Sequence, residues 1–172
     1  MKTAIIYSSK NGGTGKVAKQ ISERISGSEL INLKKQNKID LTAYDSVVLG
    51  AAVYAGNIRK VMKEFTEKNI HELLQKKLGL FICAMDKERF EEELNNAYPE
   101  LLRNHADVCV VAGGEFDMEN MNFIEKMIVK KVSGVSESMK SYDEKAINHI
   151  IQNFKNKKKE KNPDSNICFA FF

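Results

Sequence analysis

The chain has 172 residues, of which 42% are hydrophobic and 29% charged, with two prolines and ten glycines. This length is typical of one globular domain, and the composition excludes a disordered or low-complexity chain. A net charge of +4 is typical of some nucleic-acid binders, but the excess lysines lie in residues 155–172 and residues 1–154 are almost neutral. We therefore expect no nucleic-acid partner.

Targeting and metal-binding signals are also missing from the sequence. No apolar run approaches the roughly 20 residues that span a bilayer, and Thr3–Tyr7 is too short for the apolar region of a signal peptide. The three cysteines form no C-x-x-C pair, and the three histidines are scattered. These patterns argue against a disulfide scaffold and a metal site. We expect a cytoplasmic protein.

Short apolar runs alternate with helical patterns along the chain. Thr3–Tyr7 predicts a strand, Ser8–Gly13 a polar loop, and the spacing from Thr14 onwards a helix, with Gly27 just beyond its end. Further strands are predicted at Glu29–Leu33, Ser46–Val53, Leu78–Ala84 and Val108–Ala112. Further helical patterns cover Ile58–Phe65, Phe90–Leu102, Met118–Val132 and Tyr142–Phe154. Pro99 should kink or shorten the third helix.

This alternation predicts the fold class. Strands rich in valine, isoleucine and leucine, separated by amphipathic helices, indicate an α/β protein whose parallel sheet is covered by helices on both faces. Ligands of such folds bind beyond the carboxyl ends of the strands, near the point where the strand order reverses. The site should therefore lie among the loops that begin at Ser8, Val53, Ala84 and Gly113.

The first loop carries a phosphate-binding pattern. Tyr7–Lys16 reads YSSKNGGTGK; it follows a strand and opens a helix, so its N–H groups and the helix dipole favour an anion such as a phosphate monoester. A Walker A loop is excluded, because residue 10 is a lysine and Val17 follows Gly15-Lys16. A dinucleotide-binding fingerprint could be placed only at Gly13-x-Gly15-x-x-Ala18. There, five residues separate the strand from the first glycine, which should follow the strand directly. A serine- and glycine-rich turn without function remains a further alternative.

The pattern Ser9-x-Asn11-Gly12-x-Thr14 resembles the T/S-x-T-G-x-T phosphate loop of the flavodoxin family, with Asn11 in place of a threonine. The resemblance implies a noncovalently bound FMN. Its phosphate would then contact Ser9, Lys10, Asn11, Gly12, Gly13 and Thr14.

The segment Gly50–Ile58 resembles the family's loop after the third strand, which lies beside the isoalloxazine ring. This implies ring contacts from Ala52, Val53, Tyr54, Ala55, Gly56 and Asn57, and a Gly56–Asn57 peptide that responds to the redox state. By position, Ala84 and Met85 would cover the other face of the ring, although the family's usual aromatic residue is missing there. The alternative for the loop after the third strand is an ordinary surface turn, and the alternative for Met85 is a methionine packed in the core.

The resemblance covers residues 3–154 and implies a flavodoxin-like three-layer sandwich. Its five-stranded parallel sheet would have the order 2-1-3-4-5, and residues 155–172 would form a lysine-rich tail with an apolar end. The near-neutral body and the interposed Met118–Ser141 differ from electron-carrier flavodoxins. They look more like the branch that contains the bacterial menaquinone-dependent protoporphyrinogen oxidase, which shares motifs with Tyr7–Thr14, Gly50–Gly56, Ala112–Gly114 and Met127–Gly134. The longer basic insertion of that oxidase after strand four is absent.

We therefore predict an FMN-dependent redox protein acting in electron transfer, with a partner protein or a quinone. The alternatives are an FMN-dependent oxidoreductase similar to the oxidase, and a flavin-free interaction module. No catalytic acid, base or nucleophile is predicted, since electron transfer requires none. The apolar stripe of Met118–Val132 and the C-terminal tail are candidates for peripheral membrane contact; an extra core helix is the alternative for the first of them.

Overall fold

The computed structural model describes residues 1–9, 12–36, 38–54, 57–85, 89–116, 123, 127 and 138–155, without the side chains of residues 54, 57, 116 and 139. The strands are β1 (Thr3–Ser8), β2 (Ser28–Asn32), β3 (Ser46–Tyr54), β4 (Asn57–Ile58), β5 (Lys77–Cys83), β6 (Val108–Val111), β7 (Gly113–Phe116) and β8 (Met139–Tyr142). The helices are α1 (Gly13–Arg24), α2 (Lys60–Lys68), α3 (Ile70–Leu73), α4 (Phe90–Ala97), α5 (Glu100–His105) and α6 (Glu144–Lys155), and Leu41–Ala43 forms a 3-10 turn.

The main sheet has the order β2-β1-β3-β5-β6. Each neighbouring pair in this order is parallel, so the predicted order 2-1-3-4-5 is confirmed. The short β4 adds an antiparallel pair at the end of β3. Because β1 and β3 lie side by side at the reversal of strand order, the loops that follow them share one edge of the sheet.

Helices cover both faces of the sheet, and each face has its own apolar core. Ile5 of β1 packs with residues of α1 and α6 on one face. Its neighbours Ala4 and Ile6 pack with residues of α2 to α5 on the other face. Successive side chains of a strand point to opposite faces, so a continuous apolar run such as Ala4–Ile6 supplies both cores. This explains why the strands read as unbroken apolar segments.

The predicted interruption of the third helix is confirmed. Pro99 separates α4 from α5, because its ring cannot continue the hydrogen-bonding pattern of a helix. Gly27 has a φ of +74°, a conformation that L side chains rarely adopt, but the C-cap of α1 is Ile25, in an extended conformation. The helix pattern from Ile58 is observed as α2, which begins two residues later because Ile58 belongs to β4.

β7 and β8 form an antiparallel pair, here called the hairpin although residues 117–138 separate its two strands. The sequence did not predict this pair. Gly113 has a φ of +70°, and a Cβ there would lie 1.9 Å from the carbonyl oxygen of Ser141. The predicted start of the last helix at Tyr142 is wrong: Tyr142 pairs with Gly113 in the hairpin, and α6 begins at Glu144. The Ala84 N–H donates to the Gly113 carbonyl at 3.0 Å, which joins the hairpin to the end of β5.

Some of the predicted segments lie outside the described residues. The predicted helix Met118–Val132 is described only at Phe123 and Met127, and the tail only at Lys155. The division into a domain of residues 1–154 and a tail therefore stays a prediction. Within the described residues, no helix combines the length and apolar character needed to cross a membrane.

Candidate functional site

The loop between β1 and α1 places a helix N-terminus at the carboxyl edge of the sheet. Gly12 precedes α1 with a φ of +95°, which an L side chain adopts only under strain. Its N–H donates to Ser9 Oγ at 3.2 Å. The first turn of α1 has neither an acidic residue nor a side-chain cap, so its N–H groups remain available to an anion. Of the six phosphate-loop residues predicted, Lys10 and Asn11 lie outside the described residues.

Three buried hydroxyls border this loop without a hydrogen-bond partner. One is Tyr142 Oη, which lies 3.5 Å from the position that a Cβ on Gly13 would take. The other two are Ser8 Oγ, at the end of β1, and Thr14 Oγ1, in the first turn of α1; these two residues are 0% and 1% exposed. Buried polar groups are normally paired, and leaving one unpaired costs about 1 to 3 kcal/mol. The Ser8 and Thr14 hydroxyls could both pair with a bound acceptor. Sequence reasoning selected Thr14 and missed Ser8, whose only signal is its place between a buried strand and the loop.

An acidic side chain from the hairpin reaches the same loop. Glu115 of β7 accepts two hydrogen bonds from Lys16 Nζ, at 2.7 and 2.9 Å. The Glu115 side chain is 1% exposed, whereas that of Lys16 is 55% exposed. Glu115 Oε1 lies 3.9 Å from the position that a Cβ on Gly12 would take. A buried carboxylate therefore lies beside the glycine turn, and the sequence analysis did not identify it.

Two further groups near this carboxylate, the Cys83 thiol and the Tyr142 phenol, are held in their neutral forms. Burial raises the pKa of the Cys83 thiol to about 12, the neighbouring Thr14 hydroxyl lowers it because it can donate a hydrogen bond to the thiolate, and the Glu115 carboxylate raises it. Burial, followed by the Glu115 carboxylate, also raises the pKa of the Tyr142 phenol. Cys83 is therefore an unreactive thiol at neutral pH. This agrees with its interpretation from sequence as a buried apolar residue.

The second predicted loop lies beside the first. Ser8 pairs with Ala51 across the sheet, so β1 and β3 end next to each other. Val53 pairs with Ile58 and Tyr54 with Asn57, so the end of β3 and β4 form an antiparallel pair. Ala55 and Gly56 themselves lie outside the described residues, as do the side chains of Tyr54 and Asn57, and Ala52 and Val53 are half-buried.

Gly50, the first glycine of this segment, has a packing role. A Cβ there would lie 2.1 Å from Cζ of Phe81. The ring of Phe81, on the neighbouring strand β5, therefore occupies the space above Gly50, where a larger residue would clash with it. Packing against Phe81 therefore explains this glycine without any contact with a cofactor, although it also matches the family motif.

The third predicted segment, Ala84 and Met85, contacts the hairpin. Ala84 is buried. Met85 Sδ lies 3.3 Å from the position that a Cβ on Gly114 would take. Together with Gly113, Ser141 and Tyr142, among others, the two residues line a pocket of about 390 Å³. This pocket lies between the segment after β5 and the hairpin, and its lining includes no described residue of the β1–α1 loop or of β3. The hairpin borders the β1–α1 loop separately, through Glu115.

A family model described as "Flavodoxin domain" matches residues 4–143 of this chain. The chain belongs to the flavodoxin domain family. The match includes the β1–α1 loop, β3 and the hairpin. Membership confirms the predicted fold class and identifies FMN as the cofactor.

Individual relatives align with this chain over different lengths. A flavodoxin of Clostridium saccharobutylicum is 36% identical over 84 residues, which are 46% of this chain and 52% of that protein. The chain thus spans about half the length of this relative. The protoporphyrinogen IX dehydrogenase [quinone] of Escherichia coli strain K12 is 21% identical over 146 residues, which are 79% of this chain and 81% of that protein. A solved flavoprotein of Lactobacillus acidophilus in complex with FMN is 21% identical, with a TM-score of 0.46 over 65% of this chain and 90% of that chain.

Proposed function

We propose that this chain binds FMN at the carboxyl edge of its sheet and transfers electrons between a donor and a redox partner. The observation that carries the proposal is the pair of buried, unpartnered hydroxyls of Ser8 and Thr14 at the N-terminus of α1. They flank a glycine turn at a helix start that no side chain caps. A phosphate offers acceptors to hydroxyls and N–H groups alike, so the residues present fit the phosphate of FMN.

The individual contacts of this proposal are those that the family resemblance implies. Ser9, Lys10, Asn11, Gly12, Gly13 and Thr14 would hold the phosphate. Ala52, Val53, Tyr54, Ala55, Gly56 and Asn57, with Ala84 and Met85, would border the ring. When bound, FMN supplies the redox chemistry. The chain would bind and orient the cofactor and exclude water, and the neutral Cys83 thiol needs no part in the reaction.

Titration of the purified protein with FMN tests this proposal. We expect the flavin fluorescence to change on binding, the visible flavin spectrum to elute with the protein, and Thr14→Val to weaken binding. Reduction in two separate one-electron stages during photoreduction would support electron transfer. A protein that takes up no added FMN would contradict the proposal and favour the flavin-free interaction module.

A second candidate is an FMN-dependent oxidoreductase that passes hydrogens from a reduced substrate to a quinone. The alignment to the Escherichia coli protein spans 81% of that relative's length, and residues 117–138 separate the two hairpin strands. Protoporphyrinogen consumption that requires a menaquinone analogue would favour this candidate. Inactivity with that pair, in a preparation that binds FMN, would favour the electron carrier.

Contact with a membrane surface stays a prediction for Met118–Val132 and for the C-terminal tail. In support of the former, Phe123 is 79% exposed and Met127 is 59% exposed. These residues are four positions apart, a spacing that brings side chains to one face of a helix. A quinone acceptor would dissolve in the membrane, so such a contact is compatible with the second candidate.

A further inference from the structure

The Glu115 carboxylate lies beside the loop where the proposed function places the phosphate of FMN. We propose that Glu115 is an internal competitor for this anion position and thereby determines how strongly the site prefers a phosphorylated flavin to an uncharged one. The inference rests on the proposed function. It assigns a role in ligand specificity to a residue of the segment that begins at Gly113, in which no individual ligand contact was predicted.

The geometry explains the competition. Glu115 Cγ lies 3.1 Å from the position that a Cβ on Gly13 would take, and Oε1 lies 3.9 Å from the corresponding position on Gly12. The side chain thus crosses the first turn of α1, over the glycines whose missing side chains leave space for a ligand. In this proposal, a phosphate bound by these N–H groups would have the carboxylate as its neighbour at the same turn. Two anions at one helix N-terminus repel each other, since the positive end of the helix dipole amounts to only about half a charge.

Lys16 links the two anions. Its ammonium group donates to both oxygens of Glu115, and it follows the glycine turn by one helical turn. The same group can reach a phosphate at the start of α1 only if it gives up part of its contact with Glu115. A phosphorylated flavin therefore displaces the carboxylate from Lys16, whereas a flavin without phosphate leaves this ion pair intact.

The hairpin limits how Glu115 can move away. Glu115 pairs with Lys140 in the middle of the β7–β8 ladder. Gly113, two residues earlier, is held by its pairing with Tyr142 and by the hydrogen bond from Ala84. Leaving the loop therefore requires a rotation of the buried side chain or a shift of the hairpin. Either movement lowers the apparent affinity for FMN, because the binding-competent arrangement must first form.

The test compares two ligands that differ only in the phosphate, FMN and riboflavin, by fluorescence titration of the full chain. Glu115→Gln keeps the size of the side chain and removes its charge. Glu23→Gln on α1 is the matched control; it makes the same change of charge at the other end of the same helix, where Glu23 pairs with Lys19. We expect Glu115→Gln to bind FMN at least about tenfold more tightly than the wild type, a change of about 1.4 kcal/mol. Riboflavin affinity should change less than about twofold, and Glu23→Gln should match the wild type with both ligands.

The outcomes distinguish a failure of this inference from a failure of the proposed function. Equal FMN affinities of the wild type and Glu115→Gln, or equal gains for FMN and riboflavin, would overturn the role of Glu115 and leave the proposed function in place. Weaker FMN binding by Glu115→Gln would show that the carboxylate supports the site and would likewise overturn the inference. Binding of neither flavin by any variant would overturn the proposed function, and the inference with it. Inorganic phosphate, added as a competitor, should displace FMN from the wild type and from Glu115→Gln, and should not displace riboflavin.

Discussion

Replacing Thr14 with valine should change stability and ligand affinity in opposite directions. The Thr14 hydroxyl is buried and has no hydrogen-bond partner, so the free protein carries the cost of an unpaired polar group, about 1 to 3 kcal/mol. Valine has nearly the same shape and a similar helix propensity. We therefore expect the free energy of unfolding of the flavin-free protein to rise by up to about that amount. Loss of a hydrogen bond to a charged phosphate costs about 1.5 to 3 kcal/mol, so FMN affinity should fall roughly 10- to 150-fold.

Thr3→Val is the matched control for this prediction. Thr3 is also fully buried and belongs to β1, but its hydroxyl is hydrogen-bonded to Ser46 Oγ at 2.8 Å. The substitution leaves the Ser46 hydroxyl unpaired, so it should destabilise the protein by about 1 to 3 kcal/mol. FMN affinity should not change, because Thr3 lies at the opposite end of β1. Urea unfolding of the flavin-free variants and FMN titration measure both quantities.

Two results would refute the reasoning about Thr14. Unchanged FMN affinity in Thr14→Val would show that the phosphate does not contact this hydroxyl. A loss of stability as large as that of Thr3→Val would show that the hydroxyl has a partner in the flavin-free protein.

Three further predictions concern the backbone and the titrating groups. Gly12→Ala should destabilise the protein by roughly 1 to 3 kcal/mol, because its φ of +95° strains an L residue, although the added Cβ would make only an ordinary contact with Glu115 Oε1 at 3.9 Å; unchanged melting would show that the turn adopts another conformation. Burial, followed by the hydrogen bond to Glu29, raises the pKa of Tyr44 from 10.0 to about 12. The phenol therefore contributes stability that is present below pH 10 and lost as the pH rises to about 12, and Tyr44→Phe should flatten this part of the stability profile. Cys83, with its pKa raised to about 12, should resist alkylation at pH 8 in the native protein and react after denaturation, as mass spectrometry can show.

The parallel sheet was predictable because each of its strands is marked by a short pattern of neighbouring residues. A β-branched run such as Thr3–Tyr7 can be buried only as a strand covered on both faces, and a proline such as Pro99 ends a helix wherever the fold places it. The position of Thr14 was predictable for a similar reason, since a hydroxyl in the first turn after a glycine loop faces the helix N-terminus.

The hairpin was not predictable in the same way, because its two strands are far apart in the sequence. Gly113 pairs with Tyr142 across an intervening segment of more than twenty residues. Tyr142 also matches the apolar spacing of the helix that follows, so the local pattern favoured the wrong element. The contact between Glu115 and Lys16 depends on this pairing, and no spacing in the sequence indicates it. A glutamate after two glycines resembles an exposed turn residue, whereas the structure buries its side chain.

Because Glu115 belongs to the hairpin, the ligand preference at this edge of the sheet can change independently of the β1–α1 loop. The β1–α1 loop supplies dipoles and hydroxyls, which favour any anion, and it cannot by itself distinguish a ligand phosphate from a carboxylate of the same chain. The positive charge of Lys16 likewise attracts either anion, the ligand phosphate or the Glu115 carboxylate. Discrimination therefore depends on the element that brings the competing carboxylate, and a single substitution in β7 can alter it without any change in the loop. A chain with the same loop and an uncharged residue at position 115 should prefer FMN over riboflavin more strongly than this one.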